Sequence, residues 1–424
     1  MPDRGVERRY ASDVPHMPAD VRLHFDREEY ASRLARVRAA MHDRTLEVLI
    51  VADPSNMAWL TGYDGWSFYT YQCVIVTLDD DPIYWGRAQD TQGARRTVWM
   101  DTDHIVPYPD TYVQSVERHP MQHLAATLFD RGIESRRIGV ELDNYYYSAA
   151  AHRALVESLS GSQPGGRLGA TPYDRVMDAT GLVNWLRAVK SPRELEYMRI
   201  AGTFVSAAHA RIREVIRPGI RKNDLVAEIY RSLIGGTPEH GGDYPAIVPL
   251  LPTGEDASAC HLTWNDDVFE VGAGTFFEIA GCYRRYHAPL CRTAFLGTPP
   301  DDFRRAEAAV IEGLEAGIDV ARPGNRACDV ANALHDALAR AGIERDVRCG
   351  YSIGLSYPPD WGERTISFRS SDTTVLEPGM SFHFMPGLWM DDWGLEITES
   401  IVVREDGPAE TLGDAPREIF VVDG

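Results

Sequence analysis

Several things are scarce in this sequence, and each scarcity removes a class of function. Basic residues are outnumbered by acidic ones, 43 to 63, for a formal net charge of −20, and no lysine- or arginine-rich stripe interrupts that balance. Nucleic-acid binding depends on such a stripe to displace counterions from phosphate, so nucleic acid is not expected as a partner. The acidic excess reads as solubility. No apolar run approaches the roughly 18–20 residues of a membrane-crossing helix, so no membrane partner is expected either. The opening segment MPDRGVERRYASDVPHMPAD is polar and carries no apolar signal core, which leads to the expectation of a cytoplasmic protein. The six cysteines stand singly, without a CxxC pair. Neither a zinc knuckle nor a disulfide framework is implied, and the thiols are expected to be reduced core groups.

What is present is ordinary in amount and informative in order. With 424 residues, 44% hydrophobic and 25% charged, the chain can build two or three domains around sizeable cores. The first part alternates a helical pattern over Arg27–Met41 with short apolar runs at Glu47–Val51, Cys73–Leu78 and Arg137–Val140. That alternation predicts a mixed or parallel sheet covered by helices, an α/β domain. Gly161–Arg167 (GSQPGGR) predicts a surface loop. At Ser191-Pro192, a serine N-cap and a proline in the first turn open a helix. The domain boundary is therefore placed near residue 180, giving domains 1–180 and 181–424.

The second part repeats itself. Arg217-Pro-Gly-Ile-Arg-Lys-Asn-Asp224 returns as Arg322-Pro-Gly-Asn-Arg-Ala-Cys-Asp329, and Val268-Phe-Glu-Val-Gly272 returns as Val375-Leu-Glu-Pro-Gly379. The first block recurs 105 residues on and the second 107, in the same order. Two α+β halves of helix, turn, helix and antiparallel strands are expected, related by a pseudo-twofold axis with a ligand crevice between them. Under the second offset Glu278 is the counterpart of Met385, so both should face that crevice.

With these motifs in view, the sequence resembles the creatinase/aminopeptidase P family of pita-bread proteins. Leu186-Arg-Ala-Val-Lys-Ser-Pro-Arg-Glu-Leu195 resembles the family's linker, and Ser55-Asn-Met-Ala-Trp-Leu-Thr-Gly62 resembles its N-terminal domain. The resemblance implies a creatinase-like α/β N-terminal domain followed by a pita-bread catalytic domain. Peptidases of the family bind metals through two Asp, one His and two Glu. Counting back from Arg292-Thr293, those positions fall here on Glu278, Pro289, Tyr351, Met385 and Thr398. Proline has no donor atom, and methionine, threonine and neutral tyrosine are poor ligands for hard divalent ions. No metal and no other cofactor is therefore expected.

The runs Gly242–Gly254, Phe277–His287 and Met385–Ser400 resemble the metal-free branch, whose members attack the cationic carbon of a guanidinium or amidinium. The implied activity is hydrolysis of the cyclic amidine ectoine, or its hydroxylated form, so a small zwitterionic substrate is the expected partner. A creatinase-type amidinohydrolase and an inactive pita-bread module binding peptide or protein are the alternatives. His261 stands at the position of creatinase's acid/base histidine, which implies proton delivery to the leaving nitrogen. Glu278 lies in an apolar strand with Phe276, Phe277 and Ile279, where an unpaired carboxylate is costly. It can pair with an amidinium, add to its carbon, or activate water; the resemblance favours addition.

Glu396 and Glu399 are three apart on a strand, so only one lines the crevice unless a bulge intervenes. Glu399 is preferred as the catalytic one, with Glu396 as substrate-binding. Arg364 is assigned to the substrate carboxylate, and Tyr351 and Trp389 to the pocket walls. The resemblance also implies a homodimer, with the aromatic run Trp66–Tyr71 reaching towards a neighbour. An acetylated product implies a downstream deacetylase as a further partner.

Overall fold

The computed structural model describes residues 21, 23–134, 136–160, 175–345 and 347–424. The opening segment and the Gly161–Arg167 run named above lie outside them. In sequence the chain divides into two compact units between Leu182 and Val183.

The first unit is built on β1 (Val48–Val51), β2 (Cys73–Thr77), β3 (Ile83–Arg87), β4 (Ile105–Tyr108), β5 (Ile138–Val140) and β6 (Val176–Asp178). They form one mixed sheet in the order β4-β3-β2-β1-β5-β6. β1 runs antiparallel to β2 and parallel to β5, so the central strand is covered on both faces and all four of its residues are buried. Its helices are α1 (Arg27–Asp43), α2 (Pro54–Thr61), α3 (Thr91–Thr97), α4 (Pro120–Asp130) and α5 (Ala149–Ser160). Asp26 caps α1 by accepting from the Glu29 N–H at 2.7 Å. Leu124, Leu128, Leu155 and Leu159 bring α4 and α5 onto a core with Ile50, Ile75 and Val140.

The second unit opens with α6 (Leu182–Arg187), α7 (Pro192–Val215) and α8 (Lys222–Gly235), then the long hairpin β7 (Gly274–Tyr283) and β8 (Tyr286–Leu296). Ser191 caps α7 in a reciprocal box with Glu194, as the Ser-Pro signal predicts. Next come α9 (Asp301–Val320), α10 (Ala327–Arg340), β9 (Gly350–Ile353), β10 (Gly362–Ser367), β11 (Ser381–Phe384), β12 (Gly387–Trp389), β13 (Gly394–Glu396), β14 (Glu399–Val402), β15 (Glu410–Thr411) and β16 (Phe420–Val422). The strands order as β16-β8-β7, β10-β9-β11-β14-β15 and the pair β12-β13.

The repeat is visible bond by bond. In the first half Gly219 donates to Phe269, Phe269 to Ile220 and Lys222 to Asp267. In the second half Gly324 donates to Leu376, Leu376 to Asn325 and Ala327 to Thr374. The bridges Arg221↔Val268 and Arg326↔Val375 also correspond. Each Arg-Pro-Gly turn is thus tied to the turn that launches the central strand of its own half. Asp224 and Asp329 fall in the first turns of α8 and α10. α7 crosses β7 directly over Gly281, where a Cβ would stand 1.9 Å from the Ala201 carbonyl oxygen. This close crossing sets the height of β7, and with it of Glu278.

Candidate active site

β7 holds Glu278 from both sides. Glu278 pairs with Cys291 on β8, and on the other edge it exchanges two 3.0 Å backbone hydrogen bonds with Leu250. A cavity of about 590 Å³ opens beside it, lined by Cys260, His261, Glu278, Met385, Trp389 and a stretch of the loop after α10 that includes Arg345 and Arg348. His261, exposed on the loop after Gly254–Ser258, therefore shares one space with Glu278. Met385 lines it too, as the repeat predicts.

Glu396 is fixed at the end of β13. Thr293 clamps its backbone, the hydroxyl donating to the Glu396 carbonyl at 2.8 Å and accepting from its N–H at 2.9 Å. The side chain is fully buried and neither carboxyl oxygen finds a hydrogen-bond partner. Burial raises its pKa to about 7, tempered only by the Cys291 thiol and the Arg345 guanidinium. Glu278 is pushed well above the usual carboxylate range, first by burial and then by the charges of Glu396 and Asp360. The two carboxylates act on each other as a pair and resist being charged together.

Around Glu278 the metal-ligand positions are joined in a chain of hydrogen bonds. The Trp361 indole donates to the Tyr351 hydroxyl at 2.7 Å, and that hydroxyl lies 3.1 Å from His383 Nδ1. His383 Nε2 stands 2.8 Å from the Thr398 hydroxyl, which accepts from the Cys291 N–H at 2.8 Å. Burial lowers the His383 pKa to about 3, so its ring is neutral, with one nitrogen donating and the other accepting. Its Nδ1 is 3.8 Å from Glu278 Oε1, beyond hydrogen-bond reach and without a charge to make an ion pair.

These residues do not fit a dinuclear metal centre. Two of the family's ligand positions are tied to an imidazole instead, and among the described residues no three His, Cys, Asp or Glu side chains are grouped to hold an ion. Such a centre needs several shared carboxylates.

Glu399 and Arg364, both assigned to the site from the sequence, lie away from the cavity lining. Glu399, preferred as catalytic, is not among the residues lining the cavity: its Oε1 is 2.6 Å from Arg292 and 3.0 Å from Arg417, while its Oε2 is buried without a partner among the described residues. The strand breaks between β13 and β14, so the alternation argument does not connect the two glutamates; among the described residues Glu396 has neither oxygen partnered, whereas Glu399 has one oxygen held by two arginines. Arg364, assigned to a carboxylate, is exposed on β10 and is not among the residues lining the cavity. Arg345 and Arg348 line it instead. Tyr351, expected on the pocket wall, is not among the residues lining the cavity and is bonded to His383 behind it; Trp389 is among the lining residues.

Sequence reasoning missed His383, Arg345 and Arg348. His383 carried a usable signal: it lies two residues before Met385, and a period of two places both on one face of a strand.

Comparison with known proteins agrees with this architecture. Residues 33–189 match the creatinase/prolidase N-terminal domain model, and residues 196–405 match metallopeptidase family M24. The chain belongs to the M24 family, with the creatinase-type N-terminal domain and the pita-bread catalytic domain. Ectoine hydrolase of Halomonas elongata is 58% identical to it over 408 residues, covering 95% of this chain and 99% of that one. Among solved structures, dipeptidase PepE of Mycobacterium ulcerans superposes with a TM-score of 0.75 at 23% identity, over 94% of this chain and 100% of the other. The prolidase of Pyrococcus horikoshii OT3 gives 0.75 at 16%, over 92% and 100%. At those identities the two structures speak for the fold alone.

Proposed function

We propose that this chain hydrolyses the cyclic amidine of ectoine to an N-acetyl diaminobutyrate, without a metal ion in the reaction. The observation that carries this reading is the buried pair Glu278 and Glu396, neither hydrogen-bonded to a basic side chain, with Glu278 on the cavity wall. A delocalised cation is the ligand that relieves such a pair, since it restores the charge that burial suppresses. The full-length likeness to Halomonas elongata ectoine hydrolase supports the same substrate.

An amidinium carbon is already electron-poor, so no Lewis acid is required to polarise it. Glu278, ionised against the bound cation, adds to that carbon. His261 gives a proton to the ring nitrogen, the carbon–nitrogen bond breaks, and the freed amine leaves the carbon held to Glu278 as an imidate. Water then adds to this carbon, returns a proton to His261 and displaces Glu278 as carboxylate, leaving the acetyl amide. One water is consumed and both residues are regenerated.

A cytoplasmic location and a homodimer belong to the same reading. The first is supported by six free cysteines, five of them buried, and the second by the exposed aromatics Trp66 and Tyr69. No helix among the described residues is long and apolar enough to cross a membrane. The product would be a substrate for a deacetylase.

The test is incubation of chelator-treated protein with ectoine and hydroxyectoine, following the ring-opened acetyl amide by NMR. Turnover is expected without added metal, and Glu278→Ala should abolish it while the far-UV circular dichroism is unchanged. Turnover only after metal addition, or urea release from creatine instead, would overturn the proposal.

A further inference from the structure

The reaction above accounts for the cationic end of a zwitterion and leaves its carboxylate unplaced. We infer that Arg345, stacked on Trp389 in the same cavity, is the specificity residue that receives the substrate's carboxylate, with the Trp389 indole N–H as a second donor. This rests on the amidine-hydrolase reading.

Arg345 lines the cavity together with Glu278 and is half-buried. Its guanidinium carbon stands 4.6 Å from the centre of the Trp389 ring. Stacking occupies a face of the guanidinium and leaves its N–H edge available to a planar anion. Among the described residues no carboxylate comes within ion-pair distance of Arg345. The nearest relevant charge is Glu396, which acts on it at range, and burial lowers its pKa in the absence of a bonded anion.

Trp389 supplies the second, independent observation. Its Nε1 is buried and has no hydrogen-bond partner. An indole nitrogen can only donate, and no acceptor among the described residues reaches it, which leaves it available to a ligand's oxygen. Arg348 is the weaker candidate: it is exposed, and its guanidinium stacks on Tyr351 at 4.8 Å. Arg345 and Glu278 therefore line one cavity, a cation and an acidic group bordering the same ligand space. A ligand bearing an anion and a cation on one ring satisfies both, and a cation alone satisfies one.

The experiment compares ectoine with the same methylated tetrahydropyrimidine ring lacking the carboxyl group. kcat and KM are measured for wild type, Arg345→Met, Arg345→Lys and Trp389→Phe on both compounds. For ectoine, Arg345→Met should raise KM about ten- to hundredfold, the scale of a lost charge-assisted hydrogen bond. Arg345→Lys should recover part of that loss, and Trp389→Phe should raise KM severalfold. For the ring without the carboxyl group, none of these variants should change KM by more than about twofold. Equal losses on both compounds, or no loss on ectoine, overturn the assignment while leaving the amidine reading intact. A wild-type protein that opens neither ring overturns the amidine reading and takes this assignment with it.

Discussion

Replacing Glu396 with glutamine should stabilise the protein, by an amount that grows as pH rises from about 4.5 to about 7. The carboxyl group is fully buried without a hydrogen-bond partner, and its pKa rises from 4.5 to about 7. In the folded chain it keeps its proton; in the unfolded chain it releases it. Stability from the neutral group is thus complete below the unfolded value and is lost as pH climbs towards the folded one. At about 1.4 kcal/mol per pKa unit, the loss above neutrality is roughly 3 kcal/mol. Glutamine has no proton to release, and its amide is no better partnered than the protonated acid. Wild type and Glu396→Gln should therefore melt together near pH 4.5. Near pH 8 the variant should melt on the order of 6 °C higher, at about 2 °C per kcal/mol for a unit of this size. Thermal unfolding followed by circular dichroism at several pH values reads this directly. A constant gap across pH would mean that Glu396 titrates alike in the folded and unfolded chain, and a variant less stable at pH 8 would mean that it is ionised and paired in the fold; either result would refute the reasoning.

Two further perturbations probe the surrounding framework. Tyr351→Phe takes the acceptor from the Trp361 indole and the hydroxyl from His383 Nδ1, which should cost about 1–3 kcal/mol in urea unfolding, with a larger share lost if the chain acts cooperatively. Arg292→Met removes a guanidinium that donates to Glu399 and to the carbonyls of Cys291, Thr398, Ala415 and Pro416. Leaving Glu399 with Arg417 as its remaining cation should destabilise by about 3–5 kcal/mol in the same assay, whereas Arg417→Met should cost less because that arginine is partly exposed.

The parts of the fold that could be read in the sequence were those whose cause is local. Each Arg-Pro-Gly turn and each Glu-x-Gly turn carries its own backbone requirement, so the repeat showed in the letters before any contact was known. Ser191-Pro192 likewise announces α7 by capping chemistry alone. Glu278 stood out because a carboxylate in an apolar strand conflicts with its neighbours. The errors fall where the answer depends on a distant partner. Nothing around Glu399 reveals that Arg292, 107 residues away, is bonded to it. Arg345 lies in Gly342-Ile-Glu-Arg-Asp-Val-Arg348, a segment that reads as a solvated loop, and only the tertiary fold brings it over Trp389. His383 stands among apolar residues and is buried in the core, yet its nitrogens join two positions that hold metal ligands in the family's peptidases.

The pairing of Glu278 with Met385 across the pseudo-twofold axis has a stereochemical consequence. Where two acidic half-sites would treat the faces of a flat ring alike, this cavity offers a carboxylate from one half and a thioether from the other. The two faces of a planar heterocycle bound between them meet different groups even before it reacts. In the proposed reaction attack comes from the Glu278 face alone, and a substituent on the ring is admitted or rejected according to which side it projects from. On that proposal, handedness in the substrate is read by the departure of two halves of one chain from their former symmetry.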